Sequence, residues 1–221
     1  MKIINARLRH QDDLYSIELD KGLIKSIVRQ NTPAAPAADD IDAQQRLVIP
    51  PFVEPHIHLD CVMTAGQPEW NMSGTLFEGI ARWSQRKKTV TAEDTRQRAL
   101  AAIAMLRDNG VQHVRTHIDV TDPSLAALEG MLAVKAEVAH IIDLQIVAFP
   151  QEGIESFPGG RELMVRAVEM GADVVGGIPH FENTRDQGVS SVTFLMELAE
   201  RYGCMVDVHC EIGRASCRER V

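Results

Sequence analysis

The stretch LVIPPFVEPHIHLD (47–60) decides how the chain folds. Its β-branched and aromatic residues read as a strand, with Pro50, Pro51 and Pro55 tolerated only where the ladder does not need their missing N–H groups. On a strand, residues i and i+2 project from the same face, so His56 and His58 can meet one metal ion without distortion. An HxH pair is by itself a weak signal, because two half-buried histidines bonded to backbone give the same pattern. Its value depends on where the strand sits.

Outward from this stretch, the same alternation of β-branched runs and helical periods recurs. Further strands are expected over 111–120 (VQHVRTHIDV), 142–150 (IDLQIVAFP), 172–180 (ADVVGGIPH) and 204–210 (CMVDVHC). Thr91 can cap the helix that follows it and Gly110 can end it. Asp122-Pro123 is expected to start the next helix, and Gly171 and Gly203 to stop the later two. Repeated βα units imply an α/β fold with a parallel sheet. No glycine-rich phosphate loop follows the early strands, which argues against a doubly wound sheet. The expected fold is the N-terminal part of a (β/α)8 TIM barrel, whose active site collects side chains from the carboxyl ends of the strands. Those ends carry His56 and His58, then Arg115, His117 and Asp119, then Gln151, His180 and His209.

His209 would face the barrel axis as a third nitrogen ligand, leaving an open position for water. A cation there lowers the pKa of water toward ~7, so the chemistry expected is hydrolytic. Asp60 and Asp119 are candidates by position to manage protons, or else to orient a histidine. His117 and His180 read equally well as pocket residues and as satisfied core histidines. Trp70 and Trp83 flank SGTLFEGI (73–80), expected to be a helix-bearing loop over the barrel mouth, with Trp83 packing rather than stacking on substrate. Cys210 is expected to point away from the face of His209 and is not read as a ligand, and Cys61 is read as buried rather than reactive.

Before the barrel, residues 3–9, 14–19 and 23–29 form short alternating runs that read as a small antiparallel β module. The segment QNTPAAPAADD after them reads as an extended, exposed connector. The division expected is 1–46 for module and linker, 47–210 for the partial barrel, and 211–221 for a tail. That tail, EIGRASCRERV, has no apolar period or cap, and it matches an in-frame translation of a sequencing-library adapter. A barrel needs eight strands, so truncation after the fifth is expected.

The 221 residues are 45% hydrophobic, ample for a buried core, with a net charge of −8. That charge argues against nucleic-acid and anionic-membrane surfaces and suits a small neutral or cationic substrate. Four cysteines without CxxC spacing and a start without an apolar leader suggest a cytoplasmic protein.

The motifs VIPPFVEPHIHLD, TAGQPEWNMSGTLFEGIARW, VRTHIDV, LQIVAFPQEGI, GADVVGGIPHFE and VDVHC resemble, in order, those of the bacterial cytosine deaminases of the amidohydrolase superfamily. The resemblance implies hydrolytic deamination of cytosine to uracil and ammonia by a homo-oligomeric enzyme with one divalent metal ion, iron(II) or zinc. It implies that His56, His58 and His209 bind the metal, that Gln151 reads the amide edge of the pyrimidine, and that Leu76 gives a backbone contact to the ring. The family's proton-shuttling Glu follows its strand-five histidine in a His-Cys-Asp-Glu pattern. Here His209-Cys210 is followed by Glu211-Ile212, so no catalytic residue is assigned and this chain by itself is expected to be inactive. The alternatives are an amidohydrolase acting on a triazine, creatinine or another cyclic amidine, and a non-catalytic half-barrel.

Overall fold

The computed structural model describes residues 1–210. The tail expected over 211–221 lies outside the described residues. The chain divides into two units, Met1–Pro51 and Phe52–Val221.

In the first unit, β1 (Lys2–Arg7), β2 (Leu14–Asp20), β3 (Leu23–Gln30) and β4 (Ile41–Asp42) form a sheet in the order β3-β2-β1-β4. The β1-β2 and β2-β3 pairs are antiparallel and β1-β4 is parallel. Ile4, Ala6 and Ile17 are buried. Asn5 sits at an irregularity of β1 with φ of 54°, a left-handed conformation that Asn tolerates. Its side-chain amide bonds Ala34 N, Ala34 O and Asp42 Oδ1, which pins the proline-rich connector to the sheet. Leu47 pairs with Arg7, so the expected strand over 47–60 is shorter in the structure and begins at Phe52.

The second unit holds β5 (Phe52–Ile57), β6 (Val111–Asp119), β7 (Asp143–Phe149), β8 (Val174–Gly177) and β9 (Met205–Val208). All four pairings are parallel, and the spatial order β5-β6-β7-β8-β9 is the chain order. A doubly wound sheet reverses its order part-way; this one never does, which makes it a curled half of a (β/α)8 barrel.

The connecting helices are α1 (Leu76–Arg86), α2 (Ala92–Asp108), α3 (Ala126–Val138), α4 (Gly160–Met170) and α5 (Arg185–Tyr202). Thr91 caps α2 through a bond from Asp94 N, and Gly171 and Gly203, both left-handed, end α4 and α5. The start expected at Asp122-Pro123 is displaced. Asp122 accepts from Ser124 N and Leu125 N closes a turn onto Asp122 O, so the chain turns before α3 begins at Ala126.

The alternation along β6 separates two faces. Val114 and Ile118 join Leu144, Ile146, Val175, Leu128, Met131, Leu163 and Leu195 in the core between sheet and helices. Arg115, His117 and Asp119 fall on the opposite face by the two-residue period. Among the described residues no helix is long and apolar enough to cross a membrane.

Candidate active site

His56 is the penultimate residue of β5 and His58 stands just beyond the strand, with the following bend tied down at several points. Leu59 N donates to Thr116 Oγ1 at 3.0 Å, Asp119 N donates to Asp60 Oδ2 at 2.7 Å, and Cys61 N returns to His58 O at 3.0 Å. Arg98 of α2 reaches in to donate to the carbonyls of Asp60 and Val62 at 2.6 and 2.8 Å. His209 follows β9, and its N–H extends the ladder to Gly177 O at 2.8 Å. Two separate segments, the ends of β5 and β9, thus deliver imidazoles to one end of the sheet.

Those imidazoles converge. One ligand nitrogen from each of His56, His58 and His209 lies within 4.8 Å of the other two. The ring of His117 joins them, 4.2 Å from that of His56 between centroids and 4.9 Å from that of His209. Phe149 covers His209 at 4.1 Å.

Both ring nitrogens of His209 are buried without a hydrogen-bond partner. A buried imidazole lacking a partner loses the bonds it had in water and keeps no protein bond in exchange, which a cation at that point would restore. Burial, followed by the neighbouring histidines, lowers the pKa of His58 to about 3 and that of His209 to about 4. Both rings are therefore neutral with lone pairs to offer at neutral pH, and the residues present fit a divalent ion.

Beneath this cluster, Arg115 donates to Asp207 Oδ2 at 2.8 Å and to Gln145 Oε1 at 2.6 Å, and His117 Nε2 stands 3.4 Å from Asp207 Oδ1. Burial opposes the charge on Asp207, but the Arg115 and His117 contacts outweigh it and its pKa is lowered.

Asp60 and Asp119 both make structural bonds, although Asp60 Oδ1 is buried without a hydrogen-bond partner. Asp60 is wholly buried, and burial raises its pKa to about 7 although Asp119 N–H bonds its charged form. Asp119 accepts from Trp83 Nε1 at 2.8 Å, Lys87 Nζ at 3.2 Å and Thr121 N at 2.8 Å. Trp83 is buried and also bonded, a role that packing alone did not suggest.

A pocket of about 460 Å³ opens over the histidines, lined by His58, His209, Gln151, Leu76, Trp83 and Ile178 among others. Gln151 stands two residues past β7, and Leu76 is the first residue of α1, capped by Thr75. His180 stands apart from the strand end, on a short 3-10 turn over Pro179–Phe181. Sequence reasoning left His117 open and did not single out Asp207. The alternation in VRTHID was the available signal, since it puts residues 115, 117 and 119 on one face.

Residues 39–215 match the model of the amidohydrolase family. The chain belongs to the amidohydrolase family. This amidohydrolase is similar to the N-isopropylammelide isopropyl amidohydrolase of Pseudomonas sp. (strain ADP), with 30% identity over 94% of this chain and 52% of that protein. It is also similar to the 5-methylcytosine deaminase of Klebsiella pneumoniae in two crystal structures, each with a TM-score of 0.93. The structure liganded with 5-fluorocytosine is 72% identical over 95% of this chain and 51% of that chain. The one liganded with phosphonocytosine is 68% identical over 100% and 55%. The amidohydrolase chain thus spans about half the length of these proteins.

Proposed function

We propose that this chain supplies the metal-binding and substrate-reading part of a cytosine deaminase, which replaces the ring amino group with oxygen from water to give uracil and ammonia. The observation that carries the reading is the pocket itself. It sets two of the three clustered histidines against Gln151 and Leu76, in a chain 72% identical to an enzyme crystallised with a fluorinated cytosine.

His56, His58 and His209 would hold one divalent ion, iron(II) or zinc, which when bound lowers the pKa of water and polarises the substrate. Gln151 offers one amide donor and one acceptor, the complement of the pyrimidine's own amide edge. Leu76 contributes a backbone contact at the start of α1, where the capped first turn is held in place by Thr75. Trp83 and Ile178 close apolar walls around the ring and keep bulk water away from it. Asp119 accepts from Trp83, Lys87 and Thr121, and Asp60 is bonded through Oδ2 to Asp119 N, so the proton transfer is assigned to neither.

The test is made in the full-length enzyme. His56→Ala should lose bound metal by elemental analysis together with ammonia release from cytosine. Gln151→Ala should keep the metal and lower kcat/KM for cytosine by about two orders of magnitude, chiefly through KM, because an unmatched buried amide edge is costly. Metal retained after His56→Ala would overturn the ligand assignment. A preference for an N-alkylated aminotriazine over cytosine would favour the reading suggested by the 30% identical relative.

A further inference from the structure

Gln151 begins a loop, Gln151–Phe157, that has no regular secondary structure to hold it. Its side chains Glu152 and Glu155 are tied to Lys87 and Arg161, while its backbone is gathered by one carboxylate from the next βα connection. Glu182 follows the 3-10 turn after β8 and is only 3% exposed. Its Oε1 accepts from Ile154 N at 2.7 Å and Glu155 N at 3.2 Å. Its Oε2 accepts from Ser156 N at 2.8 Å and Ser156 Oγ at 2.7 Å. Three successive backbone N–H groups and a hydroxyl thus converge on one buried anion, the kind of concave donor set that peptide groups form around a negative charge. Ser156 Oγ in turn accepts from Asn183 N at 3.0 Å, which closes the loop onto the residue after Glu182.

Gly153 shows how tightly the carboxylate is packed. Its φ is +87°, and a Cβ built there would stand 2.7 Å from Glu182 Oε2. The loop can pass Glu182 only where a side chain is missing.

Resting on the reading of Gln151 as the group that recognises the substrate, we infer that Glu182 is the positioning residue for Gln151. It is not among the residues that line the pocket over the histidines. It acts by fixing the 153–156 backbone, and with it the end of the loop from which Gln151 projects. A bidentate amide contact tolerates little angular error, so a loosened loop costs recognition before anything else.

The experiment compares Glu182→Gln, Gly153→Ala, Ser156→Ala, Gln151→Ala and the Glu182→Gln/Gln151→Ala double variant in the full-length metal-loaded enzyme, with cytosine as the probe. Glu182→Gln places an NH2 group against N–H donors and should raise KM about tenfold or more, with metal content unchanged and a much smaller change in kcat. Gly153→Ala should do the same by displacing the carboxylate. Ser156→Ala removes the hydroxyl's bonds to Glu182 and from Asn183 while keeping the three amides on the carboxylate, and should raise KM about two- to tenfold. The double variant should be no worse than Gln151→Ala alone, because both changes remove the same contact. Unchanged KM in Ser156→Ala and Glu182→Gln, or losses that multiply in the double variant, would overturn the inference. Unchanged KM in Gln151→Ala would instead overturn the reading of Gln151, and the inference with it.

Discussion

Trp83 Nε1 donates a 2.8 Å hydrogen bond to Asp119 Oδ2, joining the helix over the pocket to the carboxyl end of β6. Lys87 strengthens the same junction. Its ammonium reaches Asp119 Oδ2 at 3.2 Å, Thr121 Oγ1 at 2.9 Å and Glu152 Oε1 at 2.7 Å, while Ser84 Oγ donates to that Glu152 oxygen at 2.6 Å. The helix that carries Leu76 is thereby fastened to β6 and to the residue beside Gln151.

Trp83→Phe keeps the apolar wall and removes only the indole bond. It should destabilise the full-length enzyme by about 1–2 kcal/mol, as expected for a buried bond to a charged acceptor, and raise KM several-fold with little change in metal content. Differential scanning calorimetry and steady-state kinetics check the two outcomes. Unaltered KM would detach the helix from substrate binding.

Removal of the metal should lower stability, because an ion bound only by the folded state adds RT ln(1 + [M]/Kd). At a hundredfold excess over Kd this is about 2.7 kcal/mol. A melting scan of the full-length protein with and without a chelator should show a drop of several degrees. His209→Ala should abolish the difference, since His209 brings two unpartnered buried nitrogens to the cluster.

Asp94, in the first turn of α2, bonds Arg86 at 2.8 Å and Arg98 at 2.9 Å. Partial burial works against its charge, but the two arginines prevail and its pKa is lowered. A carboxyl with a depressed folded pKa contributes stability above its unfolded value near 3.8, and that contribution is lost as pH falls through the folded value. Asp94→Asn should therefore destabilise by about 1 kcal/mol at pH 7, a small effect because solvent screens the group, and by less at pH 3. Urea titrations at the two pH values check the sign.

Gly130 in α3 lets two helices approach closely. A Cβ there would stand 2.3 Å from the carbonyl oxygen of Ala92, the first residue of α2. Gly130→Ala gains helix propensity, but the forced separation should dominate and cost about 1–3 kcal/mol. A melting temperature equal to that of the parent would show that the helices separate freely.

Much of this architecture is legible in the chain because its signals are local. The β-branched runs and the glycines at 171 and 203 mark where strands and helices end, and the caps at Thr91 and Gly203 appear where the sequence places them. The turn at Asp122–Leu125 was harder to read, because an Asp-Pro pair serves a turn as readily as a helix start.

The succession of βα units, the HxH pair on one strand face and the family motifs that relate His209 and Gln151 to them are all readable along the chain, since strand period and residue type need no partner. Folding in three dimensions is what stacks His117 on His56, sets Asp207 against Arg115 beside it, and gives Asp119 a tryptophan to hold. It alone sets Glu182 to gather the amides of residues 154–156. Backbone N–H groups have no identity in a sequence, and contacts between residues 26–92 positions apart form only when the curled sheet brings successive strand ends together.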